Sequence, residues 1–230
     1  MQTGMQTGIR CLLAALCVAV VCVAAEGTSL GDEPLPRVLL LGDASHAAAA
    51  GQVRQHFSGR ATVVHAHPGD STTALAGLDD LLGGEPWQVI HFNFGLADLH
   101  AHDPASREVR AMDRAAGGVP VTTPDRYRAN LEAIVKRLKQ TRSRLIWAST
   151  VPIPTGYPTS RLYEAGSELP FNAMASDVMQ RHGIPVNDLH AFILANVPQD
   201  RLAGAFKEHY KKTPLHEPII AAIERELGAR

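Results

Sequence analysis

Beyond residue 22 the chain has no cysteine: the three it contains, Cys11, Cys17 and Cys22, all lie in one apolar run near the N-terminus. The rest of the sequence therefore has no thiol for a disulfide, a zinc thiolate or a Cys nucleophile. Aromatic residues are scarce at 5%, which argues against a carbohydrate surface paved with Trp and Tyr but leaves room for a single well-placed ring. An excess of charge of either sign is also missing. With 22 Lys and Arg against 23 Asp and Glu there is no basic field to hold nucleic acid and no acidic tail, so no nucleic-acid partner is expected. No repeat, low-complexity tract or charge block divides the chain.

What is present suffices for one core. A chain of 230 residues with 45% hydrophobic and 20% charged content reads as a single globular domain. Residues 11–25 (CLLAALCVAVVCVAA) follow Arg10 and end in small residues before Glu26, the layout of a secretory signal peptide cleaved after Ala24 or Ala25. The run is too short for a comfortable membrane span, so the only membrane contact expected is through an uncleaved signal segment. The expected organisation is a signal peptide at 1–25, a flexible leader at 26–37 and one domain at 38–230. The expected location is secreted, periplasmic or at the cell envelope.

Short apolar runs at 38–41, 61–65, 89–92 and 145–148 read as strands buried on both faces, with 184–186 as a fifth placed at an edge by Pro185. Helical patterns separate them. Thr123 as N-cap and Pro124 at the first position open a helix whose inner face is Tyr127, Leu131, Ile134, Val135 and Leu138. Phe171, Met174, Ala175, Val178 and Met179 make a second face ending at Gly183, and Ile219, Ile220, Ile223 and Leu227 a third. Leu75, Leu78 and Leu82 make a fainter one, and Ser45 is suited to cap a helix over 47–57. Alternation of this kind indicates a three-layer α/β/α sandwich with a mainly parallel sheet of about five strands, binding ligands beyond the strands' carboxyl ends.

At those ends lie Gly42-Asp43-Ala44-Ser45, Gly69 in HPGDSTT, and Gly95-Leu96-Ala97-Asp98 in WQVIHFNFGLADL, with Val186-Asn187-Asp188-Leu189-His190 further on. In order and spacing these segments resemble a secreted subgroup of the SGNH (GDSL-type) esterase family across nearly the whole chain. The resemblance implies a flavodoxin-like sandwich and a mechanism. A serine attacks an ester carbonyl, a histidine takes its proton, and an aspartate three residues earlier orients that histidine. The oxyanion hole combines the nucleophile's N–H, a Gly N–H and an Asn side chain.

Several of those positions are altered here. The ungapped register places Ala44 at the nucleophile and Ala97 at the oxyanion Asn. Gly69 keeps its backbone donor, and Asn93 reads as a buried hydrogen-bonding residue. His209 and His216 are the candidate bases, yet Phe206 and Thr213 stand three residues before them. The expectation is a secreted, catalytically impaired member whose binding positions are Gly42, Asp43, Ala44, Gly69, Asn93, Gly95, Ala97 and Asp98, facing a small acyl or carbohydrate ligand. No cofactor is expected.

Two alternatives come from other classes. One is an active carboxyl-ester hydrolase, acetylesterase-like, using Ser45 and His209. The other is a metal-binding protein, since there are eleven histidines, and His65, His67, His91, His100 and His102 lie near strand ends with Asp98 and Asp103. The polar loop over 100–121 is long enough for a lid or partner surface.

Overall fold

The computed structural model describes residues 34–198 and 213–229. The expected signal peptide, most of the leader and His209 lie outside the described residues.

Strand β1 (Arg37–Leu41) starts one residue inside the expected leader, and its last four residues are buried. It pairs in parallel with β2 (Thr62–Ala66) on one side and β3 (Val89–Phe92) on the other. A central strand of four consecutive apolar residues has no polar face to turn to water, so both faces of the sheet need helical cover. Strand β6 (Arg144–Ala148) extends the sheet beyond β3, and β7 (Val186–Asn187) closes it, giving five parallel strands in the order β2-β1-β3-β6-β7. The edge place of β7 follows from Pro185, which gives its carbonyl to Trp147 N at 3.0 Å but has no N–H to offer. That proline also accounts for the fifth strand lying at 186–187 rather than 184–186.

Helix α1 (Ala44–His56) packs against α9 (His216–Gly228), while α5 (Pro124–Gln140) packs against α2 (Ser71–Ala76) and α7 (Glu168–His182). These groups form the outer layers of the sandwich. Helix α5 forms as its sequence requires: Thr123 Oγ1 accepts from Arg126 N, Pro124 occupies the first turn, and Tyr127, Leu131, Ile134, Val135 and Leu138 are fully buried. The faint pattern around Leu75 to Leu82 becomes two short helices, α2 and α3 (Leu78–Leu82), because Gly77 ends the first of them. The cap of α1 is Asp43, not Ser45, and the helix starts three residues earlier than expected.

A short α4 (Leu96–Leu99) follows β3, and α6 (Thr159–Leu162) precedes α7. The loop over 100–121 is partly ordered by pairing of β4 (Ala101–His102) with β5 (Val119–Pro120). Helix α8 (Leu189–Asn196), capped by Asp188, follows β7 directly.

Two buried hydroxyls are paired where the chain crosses between layers. The Tyr127 hydroxyl donates to Phe94 O at 2.6 Å, tying α5 to the turn after β3, and Thr150 Oγ1 donates to the same carbonyl at 3.2 Å. Tyr127→Phe should cost about 1–2 kcal/mol, because Phe94 O keeps one donor and the apolar packing is unchanged. Urea unfolding reads this directly, and an unchanged midpoint would contradict it.

Candidate functional site

Register places three turns side by side: Leu41 pairs with Ala66 and with Phe92, so the segments leaving β1, β2 and β3 emerge at one edge of the sheet. Those segments carry Ala44, Gly69 and Ala97. A cleft of about 850 Å³ lined by Trp87, Arg60 and Arg142 opens around the opposite, amino ends and shares no residue with these turns.

The first turn is organised by Asp43. Its Oδ1 accepts from Ser45 N at 2.9 Å and from Ser45 Oγ at 2.7 Å, which caps α1 and draws the Ser45 side chain inward. Ser45 is left only 2% exposed, whereas Ala44 faces solvent. Behind Ser45 lies a file of buried rings. Ser45 Oγ is 3.4 Å from His46 Nδ1, His46 Nε2 is 2.8 Å from His91 Nδ1, and His91 Nε2 is 2.9 Å from Asn187 Nδ2. Gly42 makes the file possible, since a Cβ there would lie 2.4 Å from the His46 ring.

The second and third turns are bound together. Gly69 adopts φ +74, and Asp70 then caps α2 through Thr72 N and Thr73 N. The buried Asp98 carboxylate accepts from Ser71 N at 3.0 Å and from Ser71 Oγ at 2.5 Å. Asn130 Nδ2 supports Ser71 Oγ from α5 at 2.9 Å. Gly95, at φ +155, has Thr150 directly behind it: a Cβ would come within 2.1 Å of Thr150 Oγ1. Ala97 is half-buried and presents a methyl group. Asn93 does not face the crevice as a spare amide, since its Nδ2 donates to Ala148 O at 2.8 Å and joins the ends of β3 and β6. The Gly69 N–H, one of the two backbone donors expected at the oxyanion hole, is directed to His67 Nδ1 at 3.2 Å.

Burial sets the electrostatics. It pushes the Asp98 carboxyl up to about 6 against the lowering effect of Ser71, and it raises Asp43 against its bonds from Ser45. It pushes His91 down to about 3 and His46 well below the ordinary imidazole range, with the other ring adding to the effect on His46. Tyr163, whose ring contacts His100 edge-on at 5.4 Å, is raised to about 12 by burial and then by the charge of Asp43.

The expected site residues thus divide. Gly42, Asp43 and Ala44 share one turn, Gly95, Ala97 and Asp98 another, and Gly69 joins the latter through Ser71 and Asp98. Ser45 turns away from solvent and Asn93 serves the sheet. His216, the other candidate base, is the half-buried first residue of α9. Among the described residues no group of three or more His, Cys, Asp or Glu side chains is arranged to hold a metal. The histidines of the metal reading go to separate duties: His65 to Gly42 O, His102 to Val119 O, and His91 to His46 and Asn187. The sequence marks His91, set between Ile90 and Phe92, as a core or crevice histidine as well as a metal candidate. Sequence reasoning missed His46 and Asn187, whose partners lie 45 and 96 residues away in sequence.

Set beside known proteins, this chain belongs to the GDSL-like lipase/acylhydrolase family, whose model matches residues 27–216. Among curated proteins none matches it in sequence. Among solved structures it is similar to a lipase/acylhydrolase from Enterococcus faecalis at 16% identity and TM-score 0.61, covering 83% of this chain and 96% of that one. An acetyl xylan esterase is similar at 12% identity and TM-score 0.60, over 84% and 100% of the two chains. A psychrotrophic esterase from Pseudoalteromonas matches at 16% identity and TM-score 0.55, over 84% and 98%. At these identities the likeness establishes the fold.

Neutral buried histidines make a testable contribution to acid sensitivity. The unfolded chain takes up a proton at His91 below pH ~6.5 while the folded chain resists until about 3, so His91 lowers stability as pH falls through that window. Asp98 acts with the opposite sign between its folded value of about 6 and its ordinary range near 3.8, which damps the whole-protein curve. His91→Gln isolates the histidine. The stability advantage of the wild type over this variant should shrink below pH ~6.5 by up to about 1.4 kcal/mol per pH unit. A difference that stays constant from neutral pH to the acid limb would contradict a neutral, buried His91.

Proposed function

We propose that this protein is an exported SGNH/GDSL-hydrolase-like protein that does not carry out serine-esterase chemistry and instead uses its crevice to bind a small acyl or carbohydrate ligand. The observation that carries this reading is the contrast within the first turn: the solvent-facing residue is Ala44, and the neighbouring hydroxyl of Ser45 is buried and engaged by Asp43. A methyl group cannot attack a carbonyl. Ala97 adds a second loss, because an absent oxyanion donor costs on the order of 100-fold or more in rate.

Support for ligand binding comes from the intact frame around these losses. Asp98 still holds the α2 turn, and next to that helix, adjoining the crevice but sharing none of its turn residues Ala44, Gly69 and Ala97, opens a cleft of about 750 Å³ lined by Asp70, Thr72, Thr73, His102, Thr123 and Arg126 among others. Hydroxyls, carboxylates and a guanidinium on one wall suit a polyhydroxylated ligand better than a bare acyl chain. The similar acetyl xylan esterase, by its name, acts on an acetylated carbohydrate. Export rests on Arg10 and the apolar run over 11–25.

The rival with a specific observation behind it is a carboxyl-ester hydrolase using Ser45, whose Oγ does lie 3.4 Å from an imidazole nitrogen, that of His46 rather than His209. Short-chain aryl esters and serine-directed phosphonates separate the two. The proposed reading expects turnover no faster than a boiled control and no label, whereas stoichiometric labelling at Ser45 would overturn it. Repair gives a graded check. Ala44→Ser alone should recover little activity, and Ala44→Ser with Ala97→Asn should gain at most about 3 kcal/mol of transition-state stabilisation. Strong activity from Ala44→Ser by itself would mean that a base and its orienting carboxylate are already in place.

A further inference from the structure

Distance alone would make Ser45 and His46 a serine–histidine pair, and the file of buried groups behind them decides whether it is one. We infer that Asn187 sets the direction of every hydrogen bond in this file, so that no ring nitrogen in it can act as a base toward Ser45. The inference deepens the proposed catalytic silence and rests on it, supplying an internal cause in addition to the missing hydroxyl at position 44.

The direction is fixed at the far end of the file. Asn187 Nδ2 lies 3.1 Å from Pro218 O, and a carbonyl oxygen only accepts, so the amide nitrogen and not its oxygen must face it. The same nitrogen has a second hydrogen and lies 2.9 Å from His91 Nε2. His91 Nε2 is therefore an acceptor. A neutral imidazole carries one hydrogen, so that of His91 sits on Nδ1 and is donated to His46 Nε2, 2.8 Å away. His46 is then constrained in the same sense: its Nε2 accepts and its Nδ1 carries the hydrogen, directed toward Ser45 Oγ. The Ser45 hydroxyl hydrogen goes to Asp43 Oδ1 at 2.7 Å.

Both rings are fully buried, and burial disfavours the extra proton that would erase this polarity. The five groups form one line of donors running from the amide of Asn187 to the carboxylate of Asp43. Asn187 is a positioning residue in this scheme: it touches no substrate and acts through two rings. Because its other hydrogen is held by the first turn of α9, the line also joins that helix to the turn that presents Ala44.

The sense of the line depends on one atom. Asn187→Asp puts an acceptor where the amide donor stood, so His91 must place its hydrogen on Nε2 and leave Nδ1 bare. His46 follows, leaving its Nδ1 as an acceptor facing the Ser45 hydroxyl. No covalent bond is made or broken beyond the shift of one hydrogen within each ring.

Long-range proton–nitrogen NMR spectra of histidine-labelled protein at pH 7.5 read this directly, with His46→Asn and His91→Gln used to assign the two rings. In the wild type both rings should show a protonated, pyrrole-like Nδ1 and a bare, pyridine-like Nε2, and in Asn187→Asp both assignments should exchange. A hydrogen on Nε2 of either ring in the wild type would overturn the inference, as would a folded Asn187→Asp whose rings keep their wild-type form. If that variant does not fold, the wild-type spectrum alone decides. Phosphonate labelling on the same sample keeps the two readings apart. Labelled Ser45 with both rings protonated at Nδ1 refutes the proposed silence and leaves the polarity standing. Unlabelled Ser45 with His46 protonated at Nε2 does the reverse.

Discussion

Asp43 accepts from both the amide and the hydroxyl of Ser45, and the chemistry available at this edge of the sheet depends on that double acceptance. The carboxylate satisfies an orphan donor of the first turn of α1, so it starts the helix one residue after the strand-to-helix corner. Starting the helix there fixes which side chain looks outward. Successive residues on a helix are rotated by about 100°, so the turn that exposes Ala44 carries Ser45 into the interior. On the proposed reading, a serine one place along the chain is held inward by the helix start and does not replace the hydroxyl missing at position 44. It is the near end of a buried polar file that reaches α9.

On the proposed reading, the crevice keeps its frame while lacking the atoms that would react. Ser71 and Asp98 hold each other, with α5 bracing them through Asn130, and Gly95 gives Thr150 the room to close the turn behind Ala97. Those constraints are local packing and hydrogen-bond demands, and they operate whether or not a nucleophile is present.

Much of the fold was legible because its signals are local. Unbroken apolar runs announced β1, β3 and β6, and Thr123-Pro124 announced α5, since capping and burial act within a few residues. The break at Gly77 and the cap on α1 were harder, because each is a contest between neighbours with similar local preferences. In the site, the turns that carry Ala44, Gly69 and Ala97 could be read from the sequence because each lies at the end of a local strand signal. The file from Ser45 to Asn187 could not, as it joins residues on α1, β3 and β7 that only the sheet order brings together.

Position 44 faces solvent and position 45 does not, and single thiols test that contrast most directly. In a background with Cys11, Cys17 and Cys22 replaced by Ser, Ala44→Cys and Ser45→Cys each offer one sulfur to a colourimetric thiol reagent under native conditions. Ala44→Cys should react promptly, and Ser45→Cys only as fast as the protein opens or when denaturant is added. Prompt native labelling of Ser45→Cys, with Ala44→Cys protected, would contradict it.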